Sequence, residues 1–175
     1  MYSTQLLFRI TKIIAVSSIA LMAGLIVIGN TTDYYSNYYF VEHVMKMDTI
    51  FPNSQLQYRS IQQPFLFHAG YCLLILMEAL MAFFCTKGSI SMIKHLTSSA
   101  TVFHASKKYA VAGLTIGVLI WFAGFEVIGG EWFAMWQSNT WNGLGSADRI
   151  LTFLMLSLIL LYLKEEELPD KLIVQ

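Results

Sequence analysis

Four long apolar segments constrain most strongly what this chain can fold into. They cover residues 13–29, 65–85, 109–130 and 147–163. A helix needs about 20 mostly apolar residues to cross the hydrocarbon core of a bilayer. Only 13% of the 175 residues are charged, whereas a soluble domain carries about a quarter. We therefore expect an all-α membrane protein: a four-transmembrane-helix bundle, folded as a single membrane domain over residues 1–175, with short amphipathic helices in its outer loops.

The basic residues are distributed unevenly between the two sides of such a bundle. Eight fall on the side of the termini: Arg9, Lys12, Lys87, Lys94, Lys107, Lys108, Lys164 and Lys171. Three fall on the other side: Lys46, Arg59 and Arg149. Because Lys and Arg concentrate in cytoplasmic segments, we expect both termini and loop 86–108 in the cytoplasm. Loops 30–64 and 131–146 then face outward, and the tail KEEELPDK is expected to be solvated.

Loop 30–64 has its own helical pattern. Phe40, Val44 and Met47 recur at helical spacing, and Val41 and Met45 widen the same apolar face. This periodicity predicts a short amphipathic helix, for which Ser36 or Asn37 is the expected cap. A second short helix is expected over residues 55–62, because Ser54 and Gln57 have the spacing of a capping box. Pro64 is expected to open the second span.

Three stretches together form a recognisable pattern: TTDYYSNYYFVEHVMKMDTIFP, HAGYCLLILMEAL and WFAGFEVIGGEWFAMWQSNTWNG. With them the chain resembles the bacterial family of predicted small integral membrane proteins of unknown function, over about residues 10–165. The resemblance implies a four-helix protein of the bacterial inner (plasma) membrane. It implies no activity, so no catalytic role transfers to any residue.

Three ionisable residues lie inside the predicted spans: His68, Glu78 and Glu126. Such residues are costly in a bilayer and are functional candidates by default. Glu78 follows the start of span two by thirteen residues, which is about 20 Å of helix. At that depth its expected partners are the hydroxyls of Ser17, Ser18, Thr115 and Ser157. Glu78 is either a structural carboxyl that joins helices or a proton or cation relay. A relay needs several ionisable groups along one path, and Glu78 is the one expected at this depth, which favours the structural interpretation.

A second polar group is expected at the outer mouth. His68, Glu126 and Arg149 lie at similar depths on three spans, and Glu131 follows just above them. Burial of each charge is less costly beside another of opposite sign. Two interpretations stay open: an ion network that holds the spans together, or an outward-facing polar pocket for a ligand.

The segment GGEWFAMWQSNTWNG contributes three tryptophans on one side only: Trp132, Trp136 and Trp141. Tryptophan concentrates at membrane interfaces, and Gly129-Gly130 permits a bend or a close approach. We expect an outer aromatic lid that folds back over the bundle mouth and packs against loop 30–64.

The sequence favours a non-catalytic function. It contains no P-loop, GxSxG or HExxH motif, and no metal or other cofactor is expected. The net charge of zero gives no basis for nucleic-acid binding. Cys72 and Cys85 are too far apart along one helix to bridge.

Two functional hypotheses follow. The first is an accessory or interaction subunit of a larger inner-membrane complex, with the lipid bilayer and a membrane-protein partner or a homo-oligomer as partners. It rests on two pairs of small residues, Ala20 with Gly24 and Gly113 with Gly117, which allow close helix contacts. The alternative is a small-molecule or ion/proton-handling protein that uses the outer polar pocket and Glu78.

Overall fold

The structure, a computed structural model, describes residues 4–169 as helices and connecting segments, without a strand among them. The longer elements are α1 (Thr4–Thr32), α2 (Tyr34–Lys46), α3 (Pro64–Lys94), α4 (Ala100–Ser106), α5 (Lys108–Val118), a π-helix (Leu119–Trp132) and α6 (Leu144–Tyr162). Single 3₁₀ turns cover Gln57–Arg59 and Met135–Gln137. Four helical stretches are long and apolar enough to cross a membrane: Thr4–Thr32, Pro64–Lys94, Ala100–Trp132 and Leu144–Tyr162. The expected four-helix architecture is confirmed.

The bundle has two ends of different chemistry. At the basic end, Arg9, Lys12 and Lys107 are buried. At the aromatic end, Trp132, Trp136 and Trp141 lie in and after the last turn of the π-helix. Between them, large apolar side chains such as Leu21, Leu76 and Leu156 are exposed on the outside of the bundle, as expected for surfaces that face lipid.

Small residues bring α3 and α5 into close contact. A Cβ added at Gly88 would lie 2.6 Å from the Cα atom of Ala110, and one added at Gly113 would lie 2.6 Å from the sulfur of Cys85. At Gly117 it would lie 2.9 Å from the side chains of Met81 and Leu154. Backbone therefore packs directly on the neighbouring helix, the arrangement that small residues permit in membrane bundles. The Gly113 and Gly117 pair is thus used inside the bundle.

The C-terminal segment crosses the basic end as a strap, which we define as residues 163–169. Glu165 forms ion pairs with Lys12 and Lys107, Arg9 donates to the backbone carbonyl of Glu166, and Leu168 is buried. The expectation of a solvated tail is therefore wrong for Glu165 and Leu168, whereas Lys164, Glu166 and Glu167 are exposed as expected. Buried cations on α1 and at the start of α5 need a counter-charge, and the strap supplies it. Lys171 lies outside the described residues.

At the aromatic end the connections differ in part from the expected ones. A break at Asp33 separates α1 from α2, and the hydroxyl of Ser36 donates to the Asp33 carboxylate at 2.7 Å. The helix thus begins at Tyr34, before the caps expected at Ser36 or Asn37. The second short helix is only the turn Gln57–Arg59, because the Ser54 hydroxyl accepts from Leu56 instead of forming a capping box. Pro64 opens α3 as expected.

The segment after the π-helix turns back over this end of the bundle. The amide of Phe133 donates to the carbonyl of Ile128, and Ala134 takes the left-handed conformation, with φ of 51°. The hydroxyls of Thr49 and Ser138 then lie 2.7 Å apart, and the Gln137 side chain accepts from the amide of Phe51. These contacts fasten the segment to the connection between α2 and α3.

Candidate functional site: an apolar cavity at the aromatic end

The hydrogen-bond pattern of the π-helix determines which residues it presents to the bundle. Its bonds join residues five apart, so residues at that spacing lie above one another. Leu119, Gly124 and Gly129 form one such row. Ala123 and Ile128 form the adjacent row, which Phe133 continues. Small and apolar residues therefore share one face over the full length of the π-helix.

This face does not fill the space between the π-helix and α3. At Gly117, near the end of α5, an added Cβ would meet Met81 of α3 at 2.9 Å. Two turns further on, at Gly124, an added Cβ would meet only the carbonyl of Leu119 in its own helix, at 3.8 Å. The two helices therefore diverge toward the aromatic end and leave a gap.

A cavity of about 460 Å³ occupies this gap. It falls in the range of small-molecule sites, about 300–1,000 Å³. Every lining residue is apolar or glycine. They are Phe40, Val41, Val44 and Met45 of α2; Gly70, Leu73, Leu74 and Met77 of α3; Leu119, Ile120, Ala123, Gly124, Phe125, Ile128 and Gly129 of the π-helix; and Phe133 and Met135.

Helix α2 forms the roof of the cavity. Its lining residues belong to the apolar face that the periodicity of loop 30–64 predicts, and Met47 of that face is buried beside Phe133. The Phe40 ring also contacts Phe125 and Trp141. The predicted amphipathic helix is confirmed, and its apolar face covers an open volume instead of a filled core.

A chain of polar contacts, which we call the polar latch, joins α1, α2 and α3 beside the roof and is buried at Asn30 and Glu78. The Asn30 amide donates to the Glu78 carboxylate at 2.7 Å. The Asn37 amide donates to the side-chain oxygen of Asn30 at 2.7 Å, and the Tyr71 hydroxyl donates to the Asn30 backbone carbonyl at 3.3 Å. The buried carboxyl thereby fixes the end of α1 and the start of α2 against α3.

The hydroxyls expected to bond Glu78 do not do so. Asn30 takes that position, because α1 ends beside the middle of α3 and not beside its start. The fourteen residues of α3 before Glu78, about 21 Å of helix, therefore extend past the end of α1, and α2 packs there. The sequence-based prediction matched residues of different spans by counting from the outer end of each span. This counting gave the wrong partner for Glu78.

The structure does not join His68, Glu126 and Arg149 by any hydrogen bond or ion pair, although all three lie within residues 4–169. The imidazole of His68 instead stacks on Tyr38 with ring centroids 4.3 Å apart, and its Nδ1 lies 2.9 Å from the hydroxyl of Tyr34. Burial, together with a contact from Cys72, raises the pKa of Tyr34 to about 12. The Tyr34 phenol therefore stays protonated at neutral pH and can donate to His68.

The charged groups that act most strongly on the Glu126 carboxyl are the carboxylates of Asp148 and Glu131. The Oε1 atom of Glu126 is buried without a hydrogen-bond partner. Arg149 is exposed at the start of α6. The backbone carbonyl of Glu131, and not its carboxylate, accepts from Arg59. No hydrogen bond or ion pair in the described part of the chain therefore joins His68, Glu126, Glu131 and Arg149 to one another, as the ion-network interpretation requires.

The three tryptophans of the segment 131–143 lie above the cavity in different settings. Trp141 stacks on His43 with ring centroids 4.6 Å apart, and the Nδ1 atom of His43 lies 2.7 Å from the Asp48 carboxylate. Arg59 lies over the ring of Trp132, and Trp136 meets Phe51 edge to face. Each tryptophan thus contacts residues of the connection 34–63.

Sequence reasoning missed the residues that create the site. Asn30 follows the predicted end of span one and reads as a loop residue. Ala123 and Gly124 are unremarkable in an apolar span, because a five-residue repeat leaves no signal where almost every position is apolar. The sequence signal for the site was the amphipathic pattern of α2, because the apolar face of this helix must pack against another part of the molecule.

Four apolar spans, a compact length and an apolar cavity define a small integral membrane protein. Residues 8–164 match the family described as "Predicted small integral membrane protein (DUF2165)", and the chain belongs to that family. The predicted resemblance is thereby confirmed. Comparison with curated proteins and with solved structures finds no match.

Proposed function

We propose that this protein is a non-catalytic binding protein that holds an apolar molecule in the cavity at its aromatic end. The observation that carries the proposal is the cavity itself, about 460 Å³ with a wholly apolar lining. A cavity of this size without polar partners for water favours an apolar occupant.

The surroundings of the cavity favour binding over chemistry. Its walls offer no acid, base or nucleophile, and the nearby carboxyl of Glu78 is bonded to Asn30 in the polar latch. Because interactions with an apolar molecule are non-directional, shape and volume set the selectivity of such a site.

We place the protein in the bacterial inner (plasma) membrane with both termini cytoplasmic. The support is the excess of Lys and Arg at the basic end, which follows the usual distribution of cytoplasmic segments. A reporter enzyme that is active only in the cytoplasm, fused after residue 175, is expected to be active. The same reporter inserted after Asn53, in the connection between α2 and α3, is expected to be inactive. The reverse result contradicts this orientation.

Photolabelling tests the proposed function. A small apolar aryl diazirine, irradiated with the purified protein in detergent, is expected to label peptides that contain Met45 and Met135. Gly124→Leu fills the cavity and is expected to abolish that labelling. Gly145→Leu is the matched control, because an added Cβ at Gly145 has no atom within 4 Å. Equal labelling of Met45 and Met135 in all three proteins contradicts the proposal.

An accessory-subunit function is the second candidate. The observation that favours it is the open surface at Gly24 and Gly29 of α1, where an added Cβ would meet no atom within 4 Å. Such a surface admits another helix at close range. Native mass spectrometry of the protein extracted in mild detergent is expected to show a partner or a second copy that Gly24→Leu removes. Recovery of a monomer alone contradicts this candidate.

A further inference from the structure

We propose that the occupant of the cavity is one acyl chain of a membrane phospholipid, which enters sideways from the bilayer between α3 and the π-helix. The inference rests on the proposed function and names the ligand of the same site. It depends on where the cavity opens, on what its walls can recognise and on how its other sides are closed.

The rim of the cavity consists of side chains that also form the outer surface of the spans. Leu73 of α3 is 59% exposed, and Leu119 and Ile128 of the π-helix are both 52% exposed. All three also line the cavity. In a bilayer, exposed apolar side chains on a span contact lipid tails. The opening between α3 and the π-helix is therefore a side opening toward the hydrocarbon.

The other sides of the cavity are closed. Toward the basic end, Gly117 packs against Met81 and Leu154 and brings the helices together. Toward the aromatic end, α2 covers the cavity, and the polar latch ties the start of α2 to α1 and α3. Phe40 of the roof packs under Trp141. A ligand approaching from water would have to displace this roof, whereas one approaching from the bilayer need not.

The walls select for a hydrocarbon. A polar group taken into an apolar site without a hydrogen bond is strongly disfavoured, because it loses its bonds to water. The cavity offers side chains only of apolar residues and glycine, so a molecule with polar groups along its length is disfavoured. An acyl chain has no such groups and is present at high concentration where the cavity opens.

Methionine methyl groups allow a direct test of entry. The protein is labelled with ¹³C-methyl methionine and placed in phosphatidylcholine nanodiscs that contain lipid with a doxyl spin label on the acyl chain. Met135 lines the cavity and is only 2% exposed, so an acyl chain inside the cavity brings the spin label closer to this methyl group than the surrounding lipid does. Met155 on α6 is 44% exposed and reports ordinary lipid contact, and Met92 is 0% exposed and reports background.

The expected result is loss of most of the Met135 signal, together with that of Met155, while Met92 keeps its intensity. Gly124→Leu and Ala123→Leu, each checked for folding by circular dichroism, are expected to restore Met135 and leave Met155 broadened. Gly145→Leu, at an exposed position where an added Cβ would meet no atom within 4 Å, is expected to behave as the wild type. If Met135 broadens no more than Met92 in the wild type, or stays broadened in both filled variants, the acyl-chain proposal is wrong.

The outcome separates the two proposals. Diazirine labelling of Met135 without spin-label broadening leaves a cavity for an apolar molecule and rejects the acyl chain. Absence of both effects rejects the cavity as a binding site altogether.

Discussion

The buried carboxyl of Glu78 connects helices through a chain of hydrogen bonds. Its contact with Asn30 joins two spans, and Asn37 extends the contact to the roof helix. A membrane transport path needs a succession of polar groups. In the described part of the chain, the groups around Glu78 are bonded to one another, which favours the structural interpretation of the two that the sequence left open.

Substitution of Glu78 tests this interpretation. Glu78→Gln keeps an oxygen that can accept from Asn30, so the free energy of unfolding is expected to change by less than about 0.5 kcal/mol. Glu78→Leu leaves the buried Asn30 amide without its acceptor and is expected to cost about 1–2 kcal/mol. Unfolding in detergent, monitored by circular dichroism, compares the two variants. If Glu78→Gln lowers the free energy of unfolding as much as Glu78→Leu does, the ionised carboxylate, and not its hydrogen bond, holds the helices together.

The glycines provide a second prediction at the residue scale, with opposite outcomes at two positions. Gly88→Ala places a Cβ 2.6 Å from the Cα atom of Ala110; such overpacking typically costs about 1–3 kcal/mol. Gly24→Ala meets no atom within 4 Å and removes the conformational cost of glycine in a helix. Midpoints of thermal unfolding are expected to fall for Gly88→Ala and not to fall for Gly24→Ala. Equal losses at the two positions contradict the packing described.

At the scale of elements, the sequence predicts the type of secondary structure of each segment well. It predicts less well how far each helix is offset along its neighbour. The four spans and the apolar face of α2 follow from hydropathy and periodicity alone. The offset between α1 and α3 does not, because apolar helices of similar length can pack at many relative heights with similar burial. That offset places Asn30 beside Glu78, and His68 bonds to Tyr34 and not to Glu126, so the predicted polar contacts depended on information that the sequence lacks.

The strap is the element whose contribution depends most on pH. Burial acts to raise the pKa of Glu165, but hydrogen bonds from Lys107 and Lys12 outweigh it and hold that pKa below its ordinary value of 4.5. A carboxyl with a lowered folded pKa adds stability that is complete above its unfolded pKa. That stability is lost as the pH falls through the folded value. The strap is therefore expected to hold at neutral pH and to weaken below about pH 4.5.

Glu165→Gln isolates this contribution. Removal of one member of a buried ion cluster costs about 3 kcal/mol, so the variant is expected to be less stable at pH 7 and to approach the wild type below pH 4.5. Glu166→Gln is the control, because Glu166 is exposed and its amide replacement can still accept from Gln5. Thermal unfolding from pH 7 to pH 3.5 measures both. A constant difference between wild type and Glu165→Gln across that range contradicts the assigned ion pairs.

Considered as a whole, the molecule combines a tightly packed half with a half that encloses space. Near the basic end, α3 and α5 meet backbone to backbone at Gly88 and Gly113. Near the aromatic end, α2 and the segment 131–143 are held by two small buried clusters, around Tyr38 and Met47, and by ring and hydroxyl contacts. Regions with few buried contacts open locally at lower free energy than the rest of a protein. The cover is therefore expected to open as a unit while the spans stay folded.

Hydrogen exchange measured by mass spectrometry tests this division. Peptides of α2 and of residues 131–143 are expected to exchange faster than peptides from the basic half of α3. Because His43 stacks on Trp141 and contacts Asp48, His43→Ala removes a ring pair and a polar contact. Together these are worth about 1.4 kcal/mol, so exchange is expected to rise about tenfold in both segments together. His95→Ala, at the basic end of α3, is expected to leave them unchanged. If only α2 responds to His43→Ala, α2 and the segment 131–143 open separately, and the cover is two parts instead of one.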